Sequence, residues 1–318
     1  MKKMLGIIIS AIFIFTGCSK NNDEVLNKLK DKLKNVNSYQ ITGLLEISNN
    51  ETIYKYDIEA NYEKKDKYKV SFKNKTNNHE QIILKNNDGV YVITPELNKS
   101  FKFQSDWPYT NSQSYLYQSI LNDIENDDNV KISNTKDGYV IETKVNYENK
   151  SDLKYQKIYI DSKLNIKKIE VYDNEDIIKI KMTYKKVKQN ISFDEDTFKI
   201  KLNNEKKEKK TKTLDVTYPL YIPENTKLES SKMVEDRTIL TFAGDKSFTI
   251  IEQVANDDME TINMNGDIEL ITDVFGNLED KSASWISNGI EYYIAANNID
   301  KEELLKVINS INNVAIEK

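Results

Sequence analysis

One cysteine, one histidine, one arginine, four prolines and nine glycines in 318 residues set the first limits on this chain. A Ser–His or Cys–His catalytic pair would have to use His79, which sits in the polar stretch 75–80 and is expected to be a surface-loop residue. Nine glycines leave little material for a phosphate-cradling loop. A single thiol, Cys18, excludes an internal disulfide and a thiolate metal set. Asp257, Asp258 and Glu260 lack the ligand spacing of a calcium loop and read as an acidic turn, so no metal or cofactor is expected. A carboxylate pair for glycoside cleavage leaves no sequence signature, because its separation is spatial. A hydrolase therefore stands only as the third reading of this chain.

Long apolar runs are also missing, with one short exception. Lys2 and Lys3 precede an apolar stretch at 4–15, which closes on Phe15-Thr16-Gly17-Cys18. That stretch falls short of the roughly 20 residues that cross a bilayer, but it suits a secretion signal. Small residues before a cysteine are what lipoprotein signal peptidase accepts, with Phe15 in place of the usual leucine. Residues 1–17 are thus expected to be removed between Gly17 and Cys18. Cys18 would then carry a diacylglyceryl lipid, with 18–22 as a tether and the chain on the extracytoplasmic face of the cell membrane. Cleavage there leaves 301 residues (318 minus 17), which suits two domains.

What the chain has in quantity is tyrosine, 19 in all, together with charge. The net charge of −5 is unevenly spread. Residues 214–318 carry 8 basic and 20 acidic side chains, a balance of −12 (8 minus 20), so the remainder carries +7. An acidic half argues against nucleic acid, which a basic face would have to recognise. It fits either a solvated surface or a docking face for a basic partner.

Periodicity gives the elements. Val25, Leu26, Leu29, Leu33 and Val36 recur at helical spacing over 23–36. In 52–62, Tyr54, Tyr56, Ile58, Ala60 and Tyr62 share one face and charged residues share the other, the mark of antiparallel sheet with one wet side. Further strands are expected at 67–73, 81–85, 89–94, 100–104, 129–133, 139–147, 153–160, 166–172, 177–187 and 197–200. A helix at 112–125, acting as lid or packing, interrupts them. The apolar-free stretch 203–213 reads as a linker. Beyond it, 214–318 is expected to form a smaller α+β unit. Its pieces are a hairpin around Gly244-Asp245, strands near 268–272 and 290–295, and a closing helix after Asp300 with Glu303 in capping-box position. The fold class expected is α+β, mainly antiparallel β, with helices covering one side of a curved sheet over 23–202.

The aromatics Tyr54, Tyr56, Tyr62, Phe101, Phe103 and Trp107 admit two readings. They fill a core under the sheet, or they line an apolar cavity that takes acyl chains.

The order of elements over 23–200 resembles the LolA/LolB-like lipoprotein-carrier superfamily. The likeness lies in Asn87-Asp88-Gly89-Val90-Tyr91-Val92 followed by Thr94-Pro95, and in the last strands through Gln189-Asn190 to Phe198. Residues 218–311 resemble a small domain appended to Gram-positive members, through Tyr218-Pro219-Leu220-Tyr221-Ile222-Pro223, the run from Phe242 to Thr249, and Trp285, Gly289 and Tyr292. Together these are similar to the GerS-like and YdcC-like sporulation and germination lipoproteins. The resemblance implies a half-open β-barrel lidded by helices around an apolar cavity. It also implies a non-catalytic, membrane-anchored role in sporulation or germination beside a protein partner, in that group a peptidoglycan amidase. Binding or sensing of lipid or lipopeptide is the alternative. Lipoprotein shuttling is not expected of an anchored chain, and fold alone does not decide function.

Overall fold

Alternation of apolar and polar residues builds most of this protein, because a strand that buries one face and wets the other cannot slip register without exposing its core side. The computed structural model describes residues 19–49, 52–202, 216–256 and 260–311. The expected signal segment with Cys18, the expected linker 203–213, and Asp257 and Asp258 lie outside the described residues.

Helix α1 (Ser19–Lys34) opens the described chain. Its Val25, Leu29 and Leu33 are buried at four-residue spacing. Lys32 donates its Nζ to the carbonyls of Lys163 and Leu164 at 3.1 and 3.0 Å, fastening the helix C-terminal end to a strand turn. Eleven strands follow among the described residues up to 202: β1 (Ser38–Asn49), β2 (Thr52–Glu63), β3 (Lys67–Asn74), β4 (Glu80–Asn86), β5 (Gly89–Thr94), β6 (Lys99–Phe103), β7 (Lys131–Thr135), β8 (Gly138–Lys144), β9 (Leu153–Asp161), β10 (Ile166–Asp173) and β11 (Ile178–Gln189). Helix α2 (Tyr117–Glu125) lies between β6 and β7, shorter than the expected 112–125.

The strands pair in the order β7-β8-β9-β10-β11-β1-β2-β3-β4-β5-β6, and the open row does not close into a barrel. Inward side chains from its far ends, Ile141 of β8 and Phe103 of β6, belong to one core cluster with α1 and α2. At about 4.8 Å per strand, a flat sheet could not bring them together, so the sheet is curved around its helices. Gly43 marks one sharp point of this curvature. The β1–β11 register shifts there, and a Cβ on residue 43 would sit 2.4 Å from the Thr183 carbonyl oxygen.

The second sheet is antiparallel, ordered β12 (Thr226–Val234), β13 (Arg237–Gly244), β14 (Phe248–Val254), β19 (Ile290–Ala296), β18 (Ser282–Ser287), β17 (Val274–Leu278) and β16 (Asp267–Ile271). Helix α3 (Lys301–Asn309) buries Leu304, Leu305, Val307 and Ile308 against it. The Asp300 carboxylate caps α3 by accepting the Glu303 N–H at 2.8 Å. The Glu303 carboxylate does not return to Asp300 but takes the Lys246 ammonium, so half of the expected capping box forms.

One expected strand is corrected. Residues 197–200 form no strand. Turn bonds from Thr197 to Asp194 and from Lys199 to Asp196 fold the chain, and Phe198 packs on Leu84, Tyr91 and Ile93 on the sheet's outer face. The pairing is mainly antiparallel, as expected; β15 (Glu260–Met264) runs parallel to β6 and becomes the twelfth strand of the first sheet. No helix among the described residues is long and apolar enough to cross a membrane.

Candidate binding groove between the sheets

The inner face of the first sheet ends, on β2 to β4, in amides and a phenol. Tyr68, Val70 and Phe72 point inward along β3 and are followed by Asn74; on β4 the inward row starts with Gln81. Asn74 and Gln81 are buried, and a buried amide without partners is costly, so each should find bonds. Both do, with the β16–β17 hairpin of the second sheet. Gln81 donates Nε2 to the Phe275 carbonyl at 3.0 Å, and the Phe275 N–H donates to Gln81 Oε1 at 2.6 Å. One side chain thus supplies the two bonds that a neighbouring strand would. The β17–β18 pairing covers Asn277 and Leu278 and leaves this stretch of β17 to Gln81.

The hairpin turn is held as closely. Tyr56 donates its hydroxyl to the Asp273 carbonyl at 2.9 Å, while the amides of Asn74 and Asn77 both donate to Asp273 Oδ2 at 3.2 Å. The Phe275 ring lies on Phe72, centroids 4.6 Å apart, and Ile268 and Leu270 of the same hairpin join the first core. Asn149 and Lys150 reach Glu269 at 3.2 and 3.0 Å.

The six aromatics singled out from the sequence all belong to the first core or pack against it. Tyr56, Tyr62, Phe103 and Trp107 are buried, with Tyr54 and Phe101 half-buried. Tyr62 stacks on Tyr39 and meets Tyr68 at a tilt, both with centroids 5.0 Å apart, and Tyr68 meets Trp107 edge-on at 5.7 Å. Phe101 and Phe103 border a cavity of about 20 Å³ with Met264 and Phe275. Ligand pockets run to roughly 300–1,000 Å³, so here the rings fill space rather than enclose it.

The family model for YdcC-like sporulation proteins matches residues 1–198, which hold every strand of the first sheet except β15. The sporulation protein YdcC of Bacillus subtilis (strain 168) is 32% identical over 316 residues, covering 95% of this chain and 94% of its own. The chain belongs to the YdcC-like sporulation protein family. Among solved structures it is similar to MucB, at 12% identity, 92% and 98% coverage and a TM-score of 0.35. It is also similar to the complex of the CwlD amidase with the GerS lipoprotein from Clostridioides difficile, at 17%, 61% and 100%, and 0.32. A LolA superfamily protein from Nitrosomonas europaea gives 9%, 88% and 92%, and 0.28.

Three polar positions had no sequence signal of their own. The Asp123 carboxyl is buried and accepts from Ser112 Oγ at 2.8 Å and Gln156 Nε2 at 2.7 Å, tying α2 and the segment before it to β9. Burial pushes it up to about 7. Glu252 of β14 is wholly buried and accepts the Thr217 N–H on both oxygens, at 3.2 and 3.1 Å. Burial pushes it up to about 7 as well. Asp273 is the third, fixed by the groove amides described above. His79 lies in the loop before β4 with Nδ1 3.3 Å from Glu96 Oε2. Among the described residues no group of three or more His, Cys, Asp or Glu side chains is placed to hold a metal ion.

Proposed function

We propose that this protein is a membrane-tethered, non-catalytic lipoprotein of spore formation that holds a protein partner at the membrane. Family membership supports the sporulation role, through a relative 32% identical across nearly the whole chain. The observation that supports binding of protein over carriage of lipid is the groove itself. The deepest part of the first sheet is packed with rings, and its polar rim bonds to peptide backbone and a carboxylate. The cavity that Phe101 and Phe103 border, about 20 Å³, is too small for an acyl chain. The partner class that the GerS-like resemblance implies is a cell-wall enzyme such as a peptidoglycan amidase, working in the membrane around the forespore. The acidic distal half, −12 over residues 214–318, would orient its basic face.

The anchor in this reading is the diacylglyceryl group on Cys18. Two long acyl chains at about 0.8 kcal/mol per buried methylene hold a protein where one chain would be marginal. Cys18→Ala should therefore shift the chain from the membrane pellet to the soluble fraction, or leave a precursor heavier by the signal segment. Unchanged fractionation with unchanged mass sinks the anchor.

The partner is tested by binding of the purified chain to sporulation amidases of the same cell, with affinity falling as salt screens exposed charge within about 8–10 Å. The isolated chain should release no fragments from peptidoglycan. Fragment release that is lost on replacing a carboxylate pair overturns the reading.

A further inference from the structure

The β16–β17 hairpin is bound to the first sheet as a ligand is bound, and this deepens the protein-partner reading above. Three of the bonds from β2 and β4 go to main-chain atoms: Gln81 to the Phe275 N–H and carbonyl, and Tyr56 to the Asp273 carbonyl. Main-chain bonds are indifferent to the identity of the side chain they pass, so they read an extended backbone wherever it comes from. Over residues 273–275, side chains are read at two points. The amides of Asn74 and Asn77 converge on one carboxylate oxygen of Asp273. Phe72 faces the aromatic ring of Phe275, two residues further on. Contacts between domains of one chain are commonly polar, but their side chains do not ordinarily converge on one short segment of main chain. Here β2, β3, β4 and the loop between β3 and β4 aim four polar side chains at residues 273–275 of a single hairpin.

We infer that the β2–β4 end of the first sheet is a peptide-binding groove for an aspartate-x-phenylalanine turn. The chain's own Asp273-Val274-Phe275 occupies it, and a partner segment of the same pattern competes for it. The aspartate is read by two neutral amides, the phenylalanine by the tilted ring contact with Phe72 and by the Gln81 clamp. An external peptide has to displace a tethered competitor whose effective concentration is in the millimolar range, so its apparent affinity for the unmodified chain is low. Weakening the resident hairpin raises that affinity without touching the groove.

The test uses the whole chain after residue 18 and a fluorescein-labelled peptide copying residues 271–277, Ile-Thr-Asp-Val-Phe-Gly-Asn. Anisotropy should show binding about tenfold or more tighter to the Asp273→Ala/Phe275→Ala chain than to the unmodified one, matching the loss of a ring contact and of the two amide–carboxylate bonds by the resident turn. Adding Gln81→Ala to that chain should remove the gain, and a peptide with alanine in place of its phenylalanine should not bind. Equal affinity for both chains, or a gain that survives Gln81→Ala, overturns the groove. If the hairpin variant does not fold, hydrogen exchange on the unmodified chain decides. Saturating peptide should speed exchange at the Phe275 amide, and unchanged protection at millimolar peptide overturns the proposal. An amidase that still binds the chain after the groove has failed leaves the partner reading standing on another surface, so the two failures are distinct.

Discussion

Phe72→Ala should lower the unfolding free energy by about 3–5 kcal/mol, read from urea midpoints followed by far-ultraviolet circular dichroism. Phe72 is 2% exposed and stands where three layers meet. Its ring centroid is 6.5 Å from Tyr56 on the sheet, 5.3 Å from Tyr115 in the segment leading to α2, and 4.6 Å from Phe275 of the second sheet's hairpin. Truncation removes transfer energy and opens a cavity that none of the three neighbours can collapse into, because each is fixed by other bonds. Tyr115 bonds to Gln113, Tyr56 to Asp273, and Phe275 to Gln81. Ile53→Ala, at a side chain 58% exposed, should by contrast stay within about 0.5 kcal/mol. A loss below about 1 kcal/mol for Phe72→Ala would mean that the hairpin does not seat on this ring in solution.

How far these features were legible in the sequence follows from which contacts are local. The alternation in Thr52–Glu63 and Lys67–Asn74 named the strands and their buried faces, because a face is decided by neighbours two residues away. The same alternation failed at 197–200. Phe198 and Ile200 alternate with Thr197 and Lys199, yet the chain turns on Asp194 and Asp196 and lays Phe198 across the outer face of β4 and β5. Nothing local distinguishes an apolar pair that joins a ladder from one that covers it. The parallel β15–β6 pairing joins residues such as Ile262 and Phe101, a separation that no periodicity encodes. For the site, the aromatics were visible but their role was not, since filling and lining leave the same pattern. The missed signal lay in the exceptions. Asn74 closes an inward row of Tyr68, Val70 and Phe72, and Gln81 opens the next. An amide at an inward position needs a buried partner, and here the partner lies about two hundred residues away in the chain.

Between pH 5 and pH 8 the protein should lose about 2–4 kcal/mol of stability, an order-of-magnitude figure for two buried carboxyls. Asp123 and Glu252 are both raised by burial to about 7, from ordinary values of 3.8 and 4.5. From about pH 4 to pH 7 the folded chain therefore keeps protons that the unfolded chain has released. Stability falls as pH rises wherever the native state binds more protons, and the loss is complete once pH passes the folded value. Other carboxyls act in the opposite sense at lower pH. The Ile177 N–H and further bonds hold Asp173 low, and the ammonium groups of Lys185 and Lys75 hold Asp57 low. Their contribution is present above the ordinary carboxylate range and is lost as pH falls through it. The two trends place the maximum near pH 5, and urea midpoints taken at pH 3, 5, 6, 7 and 8 should trace a rise and then a decline. Asp123→Asn with Glu252→Gln removes both titrating groups while keeping their shapes, so the decline above pH 5 should flatten and the acid limb should remain. A wild-type midpoint that stays level from pH 5 to pH 8 would mean that water or a relaxed side chain already solvates both carboxylates. An unchanged decline in the double variant would assign the pH dependence to other groups.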